Sequence, residues 1–142
     1  MKILVLGAGA VGGYFGGRMA EVGMDVTFLV RDIRKQKLEK TGLIIKSPKG
    51  NFSMSPKLVT VDKVESIFDV IVFTNKAYDL DEILQSNFPV KDGSTIIPLL
   101  NGYAHMEKLR SKFPNARLFG GIAHIFSTLY EEGEIHHFND IH

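Results

Sequence analysis

The sequence predicts an α/β protein of the doubly wound type, a mostly parallel sheet with helices on both faces. Three observations carry this: short runs that are apolar at nearly every position (KILVL, DVTFLV, DVIVFT), helix-period segments between them, and six glycines crowded between Gly7 and Gly17. Runs without polar alternation suit strands buried on both faces, as a parallel sheet requires. The 142 residues fit a single domain spanning 1–142, and a hydrophobic content of 44% is enough to fill its core.

Lys2 to Leu6 is the first strand. Val11, Phe15, Met19 and Val22 then recur at helical spacing, so a helix runs from Ala10 to Val22 and Gly23 closes it. Asp25 to Val30 is a second strand, followed by a polar helix from Arg31 to Lys40 that Asp32 is placed to N-cap. LIIK and NFSMS flank Ser47-Pro48-Lys49-Gly50, the pattern of a hairpin inserted into the alternation. Alternation resumes with a strand at Leu58 to Val61, a short helix near Asp62 to Ile67, and a strand at Asp69 to Thr74. A helix from about Tyr78 to Gln85 leads to the strand Thr95 to Leu100, in which Pro98 argues against an ideal central position. A helix from about Tyr103 to Ser111 and an apolar strand around Arg117 to Ile125 follow. Strands and helices alternating at this spacing imply crossover units in one sheet.

Composition excludes several classes. Seventeen basic against sixteen acidic residues give a net charge of +1, no global field for nucleic acid or anionic lipid. The basic run from Arg31 to Lys40 is broken by Asp32 and Glu39 and lacks an aromatic platform, so it reads as a solvated helix face. The absence of cysteine removes disulfide and thiolate chemistry. The N-terminal apolar run is too short for a signal peptide, and no stretch approaches a membrane span; a cytoplasmic protein is the expectation. Among the five histidines, His136, His137 and His142 invite a metal reading, but adjacent strand residues face opposite ways and no H-E-x-x-H spacing occurs. No metal is expected. Ser127 with His124 is no nucleophile elbow, since G-x-S-x-G is missing.

Each glycine inside a helix costs about 1 kcal/mol relative to alanine, so the glycine stretch needs a reason. Gly7, Gly9 and Gly12 match G-x-G-x-x-G in its required setting, after a strand and opening a helix. In this Rossmann-type pattern the first glycine permits the turn, the second lets the backbone approach a pyrophosphate, and the third lets helix and strand pack closely. The helix N-terminus offers N–H groups and a positive dipole end to the phosphates. Gly13, Gly16 and Gly17 place small residues one turn apart, where a neighbouring element or the cofactor can come close. A glycine-rich turn with no ligand is the competing reading; a membrane G-x-x-x-G face is excluded by Arg18 and Glu21.

A site that prefers NAD usually ends its second strand in Asp or Glu, which binds the ribose hydroxyls. Here the strand ends in Arg31, whose guanidinium can grip a 2′-phosphate, with Arg34 or Lys35 adding charge nearby. NADP is therefore favoured, with Asp32 as ribose ligand the alternative. Two further polar features follow strands: Asn75-Lys76 after DVIVFT and Asn101-Gly102 after TIIPLL. In open α/β sheets ligands sit at the carboxyl ends of strands, so three such ends converge on one crevice. Lys76 opposes the dipole of the helix after it unless an anion or polar ligand compensates. A surface lysine, and a plain turn or helix cap at Asn101, are the simpler alternatives.

MKILVLGAGAVGGYFGG, the Val30-Arg31 strand end, TNKAYDL around Lys76 and PLLNGY around Asn101 occur in an order and spacing that resemble the ketopantoate reductases (2-dehydropantoate 2-reductases). The resemblance is to that family's N-terminal NADP-binding domain and covers essentially the whole chain, including LFGGIAHI and the Glu132-Gly133-Glu134 turn before a final strand. It implies reduction of 2-dehydropantoate to pantoate with NADPH, on the route to pantothenate and coenzyme A. It also implies a cofactor set of Gly7, Ala8, Gly9, Ala10, Val11, Gly12, Arg31, Lys76 and Asn101, with Lys76 and Asn101 also facing the keto-acid substrate and Ser127 a candidate contact. In the family a second, helical domain supplies the general-acid lysine and a substrate-binding glutamate. The sequence stops at His142 before such a domain, so it resembles a fragment of a two-domain enzyme with no catalytic residue of its own. A related hydroxy-acid dehydrogenase and a non-catalytic NADP-responsive module are the alternatives.

Overall fold

The computed structural model describes residues 1–65, 67–76, 79–86 and 89–140. In chain order these form β1 (Lys2–Leu6), α1 (Ala10–Glu21), β2 (Asp25–Leu29), α2 (Asp32–Thr41), β3 (Leu43–Lys46), β4 (Phe52–Met54) and β5 (Lys57–Val59). A 3-10 turn at Val61–Lys63 precedes β6 (Val70–Phe73), α3 (Leu80–Gln85), β7 (Thr95–Pro98), α4 (His105–Lys112), β8 (Arg117–Leu118), β9 (Ser127–Leu129) and β10 (Glu134–His137). Tyr78, expected to begin α3, and His142 lie outside the described residues.

Six strands form one parallel sheet in the order β5-β2-β1-β6-β7-β8. From β1 the chain winds outward to β2 and β5, then returns to build β6, β7 and β8 on the other side. The winding direction reverses between β1 and β6, where the doubly wound class binds its ligands. The continuous apolar character of β1 has a direct cause: Ile3 and Val5 join the core beneath α1 and α2, while Leu4 and Leu6 join the core with Leu80 of α3 and Leu109 of α4. Both faces of the strand are buried, so alternation would be unstable there.

A second sheet, in the order β4-β3-β10-β9, was not legible as such. The expected hairpin forms its β3–β4 part, but β3 also pairs in parallel with β10, setting Ile44 opposite Glu134. Helix α1 lies between the two sheets. A Cβ at Gly16 would strike Phe28 of the first sheet, whereas one at Gly13 would strike Ile135 of the second and one at Gly17 the Ile45 side chain. The inner glycines therefore serve close approach of neighbouring elements. Arg18 fastens the arrangement, donating through Nη2 to the carbonyl of Gly50 at 2.6 Å and through Nη1 to Glu21 at 2.7 Å. Burial opposes its charge, yet hydrogen bonds to Glu21 and Tyr14 hold the guanidinium above its ordinary pKa.

Several boundaries differ from expectation. Helix α1 closes with Gly23 at φ +85°, its N–H bonding Ala20 and that of Met24 bonding Met19, a Schellman closure that needs the left-handed residue. Asp32 is not the cap of α2; Arg31 occupies that position and Asp32 lies in the first turn, where its charge still suits the dipole. The helix near Asp62 is only the 3-10 turn. Pro98 does lie in a strand with neighbours on both sides, but at its last residue: β8 pairs with Thr95 and Ile96 alone. Proline offers no N–H to extend that ladder, and the strand expected to reach Ile125 stops at Leu118. Beyond it Ile122 is 80% exposed.

Candidate functional site

The carboxyl ends of β1, β2, β5 and β6 enclose a cavity of about 600 Å³. Its floor is the glycine turn. Gly7 has φ +102° and donates its N–H to Leu29 of β2 at 2.9 Å, which turns the chain sharply out of β1. Gly9 caps α1 without a side chain, the first turn of the helix carries no acidic residue, and a Cβ added at Gly9 would meet nothing within 4 Å. The leading N–H groups of a helix have no acceptor within it. An open, uncapped and cation-like helix end of this kind is chemically suited to a phosphate. Gly12 stands behind the cavity, where a Cβ would collide with Thr74 and the carbonyl of Gly7, as the close-packing role requires.

Arg34 has a structural partner on the glycine turn. It is half-buried under the turn and donates from both Nε (3.1 Å) and Nη2 (2.8 Å) to the carbonyl of Ala8. Desolvation lowers its pKa. Arg34 therefore braces the glycine turn while also lining the cavity. Sequence spacing could not show this, because the acceptor lies 26 residues away on another element. Thr74 adds a second brace, its Oγ1 donating to the carbonyl of Leu6 at 2.8 Å.

Arg31 lines the rim, 67% exposed, with Nη2 donating to Asp79 at 2.8 Å and to Glu82 at 2.7 Å. Those bonds raise its pKa, that to Glu82 foremost. Asp32, Lys76, Asp79 and Glu82 also line the cavity, as do Ala8, Ala10 and Val11 of the turn. Asn75 donates Nδ2 to the carbonyl of Lys76 at 3.0 Å, while its buried Oδ1 has no partner among the described residues. Asn75 as a residue also lines the cavity. Asn101 is exposed, follows β7 two strands from β1, and lies outside the cavity lining. Ser127 sits on β9 and donates to the carbonyl of Ala10 at 3.1 Å, joining the second sheet to the start of α1. The described residues hold no group of metal-ligating side chains, and no helix among them is long and apolar enough to cross a membrane.

A parallel sheet with a glycine turn, a bare helix N-terminus and a cavity at its switch point defines a doubly wound domain of the dinucleotide-binding class. Comparison with known proteins specifies which one. A family model described as ketopantoate reductase PanE/ApbA matches residues 3–141, and the chain belongs to that family. It is 48% identical over 143 residues to the uncharacterized oxidoreductase YkpB of Bacillus subtilis, covering 100% of this chain and 47% of that protein. The crystal structure of 2-dehydropantoate 2-reductase from Geobacter metallireducens superposes with a TM-score of 0.89 at 28% identity, over 99% of this chain and 47% of the other. A D-mandelate dehydrogenase solved with NADH and anilino(oxo)acetate gives a TM-score of 0.88 at 25% identity, over 98% and 46%. The chain thus spans about half the length of the relatives it matches.

Proposed function

We propose that residues 1–142 form the cofactor-holding domain of an NADPH-dependent 2-dehydropantoate 2-reductase, an oxidoreductase that makes pantoate for pantothenate and coenzyme A. The observation that carries the reading is the bare α1 N-terminus and glycine turn at the floor of the 600 Å³ cavity, with Arg31 at its rim. When bound, NADPH supplies the hydride for the ketone carbon. The N–H groups of Ala10, Val11 and Gly12 would hold the pyrophosphate, and Arg34 keeps the turn in place through Ala8. Arg31 would take the 2′-phosphate. Asn75 Oδ1 would offer a buried acceptor, and Lys76, which lines the cavity, would meet a carboxylate or carbonyl of the substrate. Asn101, by family resemblance, would reach the nicotinamide ribose and substrate. Proton donation to the developing alkoxide requires an acid that these residues do not provide, so residues 1–142 alone should turn over slowly or not at all.

A second reading has its own support: Arg31 is engaged by two carboxylates, and Asp32 stands in the cavity as a ribose ligand would. That arrangement suits NAD and a related hydroxy-acid dehydrogenase. Calorimetric titration with NADPH and NADH, repeated with Arg31→Ala, decides between them. A preference for NADPH that the substitution removes supports the first reading. Equal binding of both nucleotides in either form supports the second, and no binding of either refutes both.

A further inference from the structure

Arg31 caps α2 after β2, while Asp79 and Glu82 sit at the start of α3 after β6. In the sheet β1 lies between those two strands, so the ion pair passes over the glycine turn, a span of roughly 10 Å at two strand spacings. One nitrogen of Arg31, Nη2, serves both carboxylates, and all three side chains line the cavity. The cations next in sequence are committed elsewhere: Arg34 to the carbonyl of Ala8, and Lys35 toward Glu39 at 3.7 Å. Arg34 and Lys76 are the other cations on the cavity wall. With Asp32 and Asp62, four carboxylates line the cavity against three cations, so Asp79 and Glu82 leave no excess of positive charge where a phosphate is to enter.

We propose that Asp79 and Glu82 are specificity-determining residues of this site, internal anions that occupy Arg31 and lower its preference for a dinucleotide bearing a 2′-phosphate. The inference rests on the reading that Arg31 is the 2′-phosphate ligand. A 2′-phosphate must displace both carboxylates from Nη2 and then sit beside them as a like charge. A 2′-hydroxyl leaves the bridge intact and can donate to it. The bridge is weak enough to exchange: Arg31 is 67% exposed and Glu82 73%, and solvated pairs yield to bidentate phosphate contacts. Asp79, only 23% exposed, is the more firmly held of the two acceptors.

The test is calorimetric titration of the 142-residue chain with NADPH and NADH, in parallel for Asp79→Asn, Glu82→Gln, both together, Arg31→Ala, and the triple variant. Adenosine 2′,5′-bisphosphate against 5′-AMP repeats the comparison at the ribose end alone. The asparagine and glutamine changes preserve shape, and far-UV circular dichroism verifies that each variant folds. The double variant is expected to raise the NADPH-to-NADH affinity ratio about fivefold, the scale of one solvated ion pair, and to raise it less when Arg31 is absent. If Arg31→Ala abolishes the preference while the double variant leaves the ratio unchanged or lower, the competition is refuted and Arg31 keeps its role. If Arg31→Ala leaves the ratio unchanged, or no probe binds, the underlying reading fails and this inference fails with it.

Discussion

Replacing Gly13 with alanine asks whether α1 meets the second sheet through the space of one missing methyl. The new Cβ would strike Cδ1 of Ile135, a fully buried residue. Overpacking costs about 1–3 kcal/mol and the helix gains about 1 kcal/mol from alanine, so the single change should lose about 1 kcal/mol. Ile135→Val removes that same Cδ1 and alone loses about 1 kcal/mol. Independent effects would sum to about 2 kcal/mol; because the two changes exchange one atom for another, the double variant should match the parent within about 0.5 kcal/mol. Urea unfolding followed by far-UV circular dichroism measures this directly, since the chain contains no tryptophan to report by fluorescence. In a thermal scan each single variant should melt about 3 °C low and the double variant with the parent. A double variant that loses the full sum would refute the reasoning.

Gly9→Ala should leave stability within about 0.5 kcal/mol, because its Cβ meets no protein atom, yet weaken nucleotide binding several-fold by entering the space that the proposed pyrophosphate would take. A melt and a titration on the same sample separate the two effects. Arg34→Ala should lose about 1–2 kcal/mol through the two bonds to Ala8 and loosen nucleotide binding, with Arg34→Lys recovering only part. Burial lowers the pKa of His105, so the unfolded chain binds its proton more readily than the folded one. Stability from this group is therefore complete above the unfolded value near 6.5 and falls as pH drops below it; His105→Gln should remove that decrement in denaturation curves taken from pH 7 downward.

What the sequence disclosed was local. The apolar runs marked the parallel strands because burial on both faces leaves a signature within each strand, and the turn was marked because a positive φ at Gly7 and the close approach of Thr74 to Gly12 restrict those two positions to glycine. The second sheet left no such mark: Ile44 and Glu134 are paired by tertiary packing, and nothing in their own neighbourhoods requires it. Arg34 illustrates the same limit, since it reads as a solvated helix cation until Ala8 is found beside it. The acidic residues facing Arg31 were equally silent, lying across the sheet on α3. Strand β8 was overestimated because apolar content between Phe119 and Ile125 resembles a strand, while the ladder that would hold it runs out at Pro98.

The pairing of β3 with β10 bears on how the protein is born. Ser47 and His137, bonded at 2.8 Å, are separated by 90 positions along the chain. During synthesis α1 emerges before the rest of its seat, with one wall available once β2 follows; the other wall, begun by β3 and β4, cannot be completed until Glu134 to His137 have been translated. Until then a glycine-rich helix with a bare end must wait half-seated, a state that non-local closure makes slow to leave and open to chaperones. Ribosome-bound chains in which β10 is still inside the exit tunnel should accordingly show α1 open to protease, and chains extended until β10 has emerged should show it closed.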